Sequence, residues 1–465
     1  MNEDFLQALR EICGPQSVLD ARALSGRDCG FHPDNLGAEY AVRPCTTDQV
    51  ADIVTLCNRH NVAIVPHGGL TGLAGGAVSH VGQLILSTSR LQNTLVVDPL
   101  NRVAHVSAGV TLEALDQAAS AHGLCAGIDI GARGTATIGG MIATNAGGSE
   151  AFRNGIMRDR VLGLEAVTAA GIVVSDLRQV AKANEGIDVK HVFIGSEGTL
   201  GIITCAVLRL EPAPKECCTL IASFPNVATA LGTYDAINNM PAGTLMRAEI
   251  MWRDYAVATA QALDLSAILP NADQPVHVIF EVEPSDMSVD AFLEPLAEIL
   301  EVVACEDVLV AQSERERANI WLVREESWAL ERDFPYGFWY DVSLPLGELE
   351  AYVDRVSSEL HTLDPTIRVF VMGHLGDGNL HLTIARKTEM PDLHRKVSEI
   401  VYRGLTDTGS SFSAEHGIGS EKLKDLERLG DPGKLAAARL IKDALDPNGI
   451  LNPGKVIPRS KRKGY

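Results

Sequence analysis

The placement of glycine constrains this chain more than any other feature. Its 42 glycines gather in a few segments. These are Pro66-His67-Gly68-Gly69-Leu70-Thr71-Gly72-Leu73-Ala74-Gly75-Gly76, the stretch from Gly131 to Gly148, and Gly195-Ser196-Glu197-Gly198-Thr199-Leu200-Gly201-Ile202-Ile203. Consecutive glycines let backbone N–H groups converge on an anion, because no Cβ blocks the approach and positive φ costs little. A diphosphate is the natural guest. One such segment alone is as readily a tight turn; three together point to a bulky ligand held by backbone. None is a Walker loop, since no Gly-Lys-Ser/Thr follows, and none sets a strand, G-x-G-x-x-G and a distal acid in Rossmann order. The middle segment is too glycine-dense for an ordinary helix, and it alternates small and apolar residues as a buried, ligand-lining loop does.

The remaining composition describes a folded chain of more than one domain. With 465 residues, 46% of them apolar and 22% charged, it can bury a core, and disorder is excluded. Asp plus Glu outnumber Lys plus Arg by 60 to 40, a net charge of −20 that repels phosphate backbones and argues against general nucleic-acid binding. The basic run Arg459-Ser460-Lys461-Arg462-Lys463 reads as a solvated tail. No segment approaches the roughly 20 apolar residues that cross a bilayer. The start, Met1-Asn2-Glu3-Asp4-Phe5, lacks the positive region and apolar run of a secretory signal. The expectation is a soluble cytoplasmic protein. Nine cysteines without a C-x-x-C pair suit reduced thiols better than a disulfide framework, a zinc ribbon or an iron–sulfur site.

From about 41 to 212, short β-branched runs alternate with amphipathic helical patterns and glycine turns, an α+β or α/β signature. Thr46-x-x-Gln49 reads as a capping box, and Val50, Ile53, Val54 and Cys57 then share one face of a helix ending near Asn58 to Asn61. Strands are expected at 62–65, 84–87, 94–98, 102–107, 161–168, 171–175 and 202–210. Pro212-Ala213-Pro214-Lys215 breaks the pattern and marks a boundary. Longer helical patterns follow at about 225–238, 288–303, 313–332 and 434–445, mixed with strands such as Val276 to Phe280.

A second pattern concerns histidine. Arg368 to Ile384 reads as two apolar strands around Gly376-Asp377-Gly378-Asn379, a hairpin signal. Pairing Leu375 with Leu380 across that loop sets His374 directly opposite His381, at a Cβ separation of about 4.5 to 5.5 Å, close enough for two imidazoles to share one ion. An oxygen ligand and an open position for substrate complete a catalytic metal site of this kind. Ser413-Ala414-Glu415-His416-Gly417-Ile418-Gly419 offers Glu415 with a further histidine in a glycine-flanked loop. A lone histidine is more often a satisfied structural residue; four ligand-type residues in two such segments favour chemistry.

In order along 41–212, the loop 66–76, the Gly131 to Gly148 stretch, Val161-Leu162-Gly163-Leu164-Glu165 and Gly195 to Ile203 resemble the FAD domain of the vanillyl-alcohol oxidase and p-cresol methylhydroxylase family. The resemblance implies an α+β protein with a two-subdomain FAD-binding domain and an α/β substrate, or cap, domain built on an antiparallel sheet. The FAD-binding domain is then 1–213 with its core at 41–212. Residues 214–410 form the substrate domain with the histidine hairpin, and 411–465 return to the flavin site. By the same resemblance, FAD is lined by Pro66, His67, Gly68, Gly69, Leu70, Thr71 and Gly72 of the first segment. Ile130, Gly131, Thr135, Ile138, Gly139, Gly140, Ala143, Asn145, Ala146, Gly147 and Gly148 follow from the second, with Gly198, Ile202, Glu415 and Asn452. Some members attach the flavin covalently through a His placed just after two glycines of the first loop. Here His67 precedes Gly68-Gly69, which implies non-covalent, dissociable FAD.

Gly373-His374-Leu375-Gly376-Asp377-Gly378-Asn379-Leu380-His381 and Ala414-Glu415-His416-Gly417-Ile418-Gly419 are similar to the D-2-hydroxyacid dehydrogenase branch, which includes D-2-hydroxyglutarate and D-lactate dehydrogenases. That similarity implies a divalent metal, usually zinc, on His374, His381 and Glu415, and His416 as catalytic base. The implied reaction passes hydride from the α-carbon of a D-2-hydroxy acid to flavin N5 and yields the 2-oxo acid. Arg324 takes the place of the family's substrate arginine; a helix-surface ion pair with Glu325, Glu326 or Glu331 is the plainer alternative. Asn379 adds a substrate hydrogen bond and His374 also borders the substrate. One departure matters: Trp339 stands where D-2-hydroxyglutarate enzymes carry a Lys, which weakens the case for a second substrate carboxylate. Trp328, Phe338 and Tyr340 nearby would suit an apolar substituent or simple packing. The electron acceptor stays open among an electron-transfer flavoprotein, a quinone and a cytochrome, and family analogy implies a homodimer. Three rivals stand beside this reading: the flavin subunit of a glycolate oxidase complex, a metal-dependent hydrolase using His374, His381 and Glu415, and a protein that holds FAD without turnover.

Overall fold

The computed structural model describes residues 1–390 and 392–458; the basic run at 459–463 lies outside them. The chain forms two compact units. The first comprises Met1–Gly148, Asn154–Ala213 and the chain from Glu415 onward, and the second comprises Ser149–Arg153 and Pro214–Ala414. The chain thus re-enters the first unit at Glu415, the first residue of the Glu-His pair, with 411–414 still in the second.

In the first unit, Thr46 caps the helix Thr47–His60 by accepting from Gln49 N–H, and Asn61 ends it in the left-handed region at φ 53°. Gln49 returns its own side chain to Cys45 N–H at 2.8 Å, one residue before the position a capping box uses. Val50, Ile53, Val54 and Cys57 are fully buried, as their spacing requires. A four-stranded sheet runs Val18–Asp20, Tyr40–Val42, Leu84–Ser87, Ile64–His67, with Leu84–Ser87 parallel to both neighbours. Leu84, Ile85 and Leu86 are all buried, the unbroken apolar run of a central parallel strand. A five-stranded antiparallel sheet runs Leu95–Asp98, Val103–Ser107, Ile202–Arg209, Val161–Val167, Val173–Asp176.

The middle glycine segment departs from expectation. Instead of a loop throughout, Ile138–Thr144 forms a seven-residue helix that buries Ile138, Met141 and Ile142 against the core, and Asn145 closes it at φ 55°. Apolar residues at i, i+3 and i+4 outweigh the helix cost of Gly139 and Gly140.

The second unit is a seven-stranded antiparallel sheet in the order Val308–Val310, Cys218–Phe224, Val276–Pro284, Gly243–Trp252, Arg368–His374, Asn379–Arg386, Tyr336–Ser343. Helices Arg253–Ala262 and Glu314–Glu325 cover one face through Tyr255, Ala256, Ile320 and Val323, packed on Ile221, Met251, Ile279 and Phe370. The histidine hairpin closes in a different register from the one its sequence suggests. His374 faces Asn379, and His381 faces Met372. Leu375 N–H donates to Ala248 O of the adjoining strand, so Leu375 leaves the hairpin ladder, and Gly378 at φ 71° turns the remaining four-residue loop. The shift is two residues, and a two-residue shift keeps every side chain on its face. All nine cysteines are free thiols, and among the described residues no helix is long and apolar enough to cross a membrane.

Candidate active site

In the first unit the three glycine segments converge. A Cβ on Gly68 would lie 2.6 Å from Thr137 Oγ1, and one on Gly69 would lie 1.9 Å from Thr135 O, so the first segment packs its backbone directly on the second. The third joins them through Gly195 N–H to Ile142 O and Glu197 N–H to Ala143 O, and Gly198 rests on Pro66. Leu70, Thr71 and Gly72 lie at the accessible side of the first loop, as Ile130 and Gly131 do in the second. Several predicted residues serve the cradle's own structure. His67 is 3% exposed with Nε2 on Ala77 O at 2.8 Å, and burial drives its pKa down to about 4. Asn145 Oδ1 accepts from Arg158 N–H, and Asn452 Nδ2 spans Gly76 O and Glu197 O.

Thr137 escapes sequence inspection. It precedes the helix Ile138–Thr144 in the N-cap position but makes no capping bond, and its buried hydroxyl has no partner among the described residues. A hydroxyl left uncommitted between Gly68 and Gly140 fits a phosphate oxygen. The signal was available only as a Thr immediately before Ile138-Gly139-Gly140. Thr137→Val is expected to weaken FAD binding about 10- to 100-fold, the worth of one hydrogen bond to a charged group. Titration of flavin fluorescence checks it; unchanged affinity removes Thr137 from the cofactor site. The same unit holds Glu415 and His416. Glu415 Oε1 accepts from Gly148 N–H at 2.6 Å, and a Cβ on Gly147 would lie 2.8 Å from that oxygen. The second glycine segment therefore seats the Glu415 carboxylate.

In the second unit, strand pairing places Glu249, His374, Asn379, His381, Asp341 and Trp339 on one face of the sheet. The His374 and His381 rings meet edge to face, with centroids 5.4 Å apart and planes at 88°. Glu249, 1% exposed, organises the neighbourhood. Its Oε1 meets His374 Nδ1 at 2.7 Å, and its Oε2 meets both Nε and Nη2 of Arg324 at 2.8 Å. Burial raises the Glu249 pKa, but His374 and Arg324 together hold it below the usual carboxylate range. Arg324 thus points inward from the last turn of its helix, and the surface pairing with Glu325, Glu326 or Glu331 is not its arrangement.

Nδ1 of His374 meets a carboxylate, the arrangement that metal-binding histidines adopt when they ligate through the other nitrogen. Two imidazoles on one face fit a divalent cation such as zinc. Asn379 donates its amide to Asp341 Oδ1 at 3.0 Å and Val342 O at 2.9 Å, while its buried Oδ1 has no partner among the described residues. It can therefore serve a substrate only as an acceptor. Trp339 faces Thr383 on the edge strand and is 55% exposed. Tyr340 points to the other face, bonded to Ser398 and packed on Tyr402, and Phe338 packs on His394. Those two aromatics are packing. Sequence inspection missed Glu249, whose one signal is an acid inside the apolar strand Gly243–Trp252.

The glycine cradle and the fold define an FAD-binding oxidoreductase. Residues 38–176 match the FAD binding domain, and residues 213–456 match the C-terminal domain of FAD linked oxidases. The mitochondrial D-2-hydroxyglutarate dehydrogenase of Bos taurus is 35% identical across 98% of this chain and 84% of its own length. The D-2-hydroxyglutarate dehydrogenase of Stutzerimonas stutzeri is 31% identical across 97% of this chain and 98% of its own. Substrate-bound p-cresol methylhydroxylase superposes with a TM-score of 0.73 at 17% identity, over 97% of this chain and 96% of that one, which shows the shared fold. The chain belongs to the FAD-linked oxidases, in the family of the D-2-hydroxyglutarate dehydrogenases, and has the fold of p-cresol methylhydroxylase.

Proposed function

We propose that this chain oxidises a D-2-hydroxy acid to the 2-oxo acid, with a divalent cation on His374, His381 and Glu415 and with His416 as base. The observation that carries the reading is the single sheet face on which Glu249 ties His374 to Arg324 beside His381. FAD accepts the hydride when bound, and a cation on the imidazoles supplies Lewis acidity that lowers the pKa of the substrate hydroxyl. Arg324 binds the substrate carboxylate. Its Nε and Nη2 are committed to Glu249, so the Nη1 end is the one the carboxylate meets. Asn379 has only the acceptor Oδ1 to offer the substrate. His416 takes the hydroxyl proton.

The names of the relatives put D-2-hydroxyglutarate first among substrates to test. A second reading rests on Trp339, whose exposed indole on the face of His381 offers a distal carboxylate no cation and suits an apolar side chain instead. An anaerobic screen of D- and L-2-hydroxy acids with varied side chains, read by loss of flavin absorbance, tests both. Bleaching by D-acids alone supports the reaction, and the side-chain order chooses between the substrates. Failure of every 2-hydroxy acid to bleach a protein loaded with FAD and zinc contradicts it.

A further inference from the structure

One buried carboxylate of the first unit has no part in the reaction just described. Glu197, in the third glycine segment, sits at φ 48° and is 9% exposed. Its carboxylate accepts from Ile418 N–H at 2.7 Å and from Gly419 N–H at 3.0 Å. Its backbone N–H donates to Ala143 O at 2.8 Å, and its carbonyl accepts from Asn452 at 2.7 Å. Gly76 and Gly417 approach so closely that a Cβ on either would lie 2.9 Å or 2.5 Å from a carboxylate oxygen. Glu197 therefore joins the end of the first glycine loop, the helix Ile138–Thr144 and the loop that carries Glu415 and His416.

That loop has neither helix nor strand between 413 and 419, so its shape depends on the groups that accept its N–H bonds. Glu415 is anchored at Gly148, and Ile418 and Gly419 are anchored at Glu197. His416 lies between the two anchors. An acid placed there is costly: burial raises its pKa, and the bonds from Ile418 and Gly419 with the charges of Lys422 and Lys455 offset this only in part, leaving it at about 6.

We infer that Glu197 is a positioning residue, which fixes the backbone of 417–419 and thereby sets the place of His416. The inference rests on the reading of His416 as the base. A purely structural brace would affect folding and cofactor retention; a positioning residue acts on the rate.

The test uses the full chain loaded with FAD and zinc, as wild type, Glu197→Ala and Glu197→Gln, the last keeping the volume and one acceptor oxygen. Three quantities are read: amide hydrogen exchange over 415–419, the rate of anaerobic flavin reduction with its half-saturating substrate concentration, and the pH profile of that rate. Glu197→Ala is expected to retain FAD, expose the Ile418 and Gly419 amides to exchange, and slow reduction about 100-fold, the order of loss an ångström-scale misplacement causes. Half-saturation should stay within about twofold and the pH profile of the rate should move, with Glu197→Gln intermediate. Unchanged exchange overturns the inference, as does faster exchange at an unchanged rate. A slower rate with an equal rise in half-saturation and an unmoved pH profile marks a brace and also overturns it. If no 2-hydroxy acid reduces the wild type, the role of His416 falls instead, while exchange still decides whether Glu197 holds the loop.

Discussion

Glu249→Ala is expected to lower the midpoint of thermal unfolding by roughly 10 °C and to weaken zinc binding 10- to 100-fold. The substitution removes the shared partner of a buried guanidinium and a buried imidazole. Breaking a buried ion pair by deleting one member costs about 3–5 kcal/mol, because the other charge stays out of water unpaired. For units of this size each kcal/mol is about 2–4 °C in midpoint. The loss of metal affinity has a separate origin: without Glu249, His374 loses the bond that fixes its Nδ1. Glu249→Gln keeps the shape and one acceptor, so its thermal loss is smaller while its zinc affinity still falls. Calorimetry and competition with a chromophoric chelator read the two effects apart. A Glu249→Ala protein with wild-type zinc affinity contradicts the assignment of His374 as a ligand.

His416→Ala carries the other large effect. Removal of a general base costs about 10²- to 10⁴-fold in rate. The glycine cradle is untouched by this change, and Glu415 keeps its bond to Gly148, so FAD is retained. Stopped-flow reduction by the best D-2-hydroxy acid is the measurement. Rapid bleaching in the variant, at more than about a tenth of the wild-type rate, excludes His416 as the base.

The parts of the molecule fixed by local pattern are legible in the sequence, and those fixed at long range are not. Thr47–His60 follows from its cap, its period and Asn61, and Leu84–Ser87 from four successive apolar or small residues. The shared face of His374 and His381 follows from strand alternation alone. Their register does not, because Leu375 is drawn away by Ala248, far off in sequence. Glu249 is hidden for the same reason: its partners lie 75 and 125 residues away, and an acid in an apolar strand announces that it has partners without saying which. The family resemblance located Arg324, but only the packing of Glu314–Glu325 turned it inward. Glycine density misled in one place, at Ile138–Thr144, where buried apolar residues at helical spacing prevailed over propensity.

The most direct measurement takes the FAD-loaded protein through chelation and back. Anaerobic mixing with a D-2-hydroxy acid that reduces the untreated protein should bleach the flavin before chelation, fail after it, and bleach again once one equivalent of zinc is returned, with FAD bound throughout. Bleaching that persists at full rate in the metal-stripped protein would show that the two histidines do their work without a cation, and the account would be wrong at its centre.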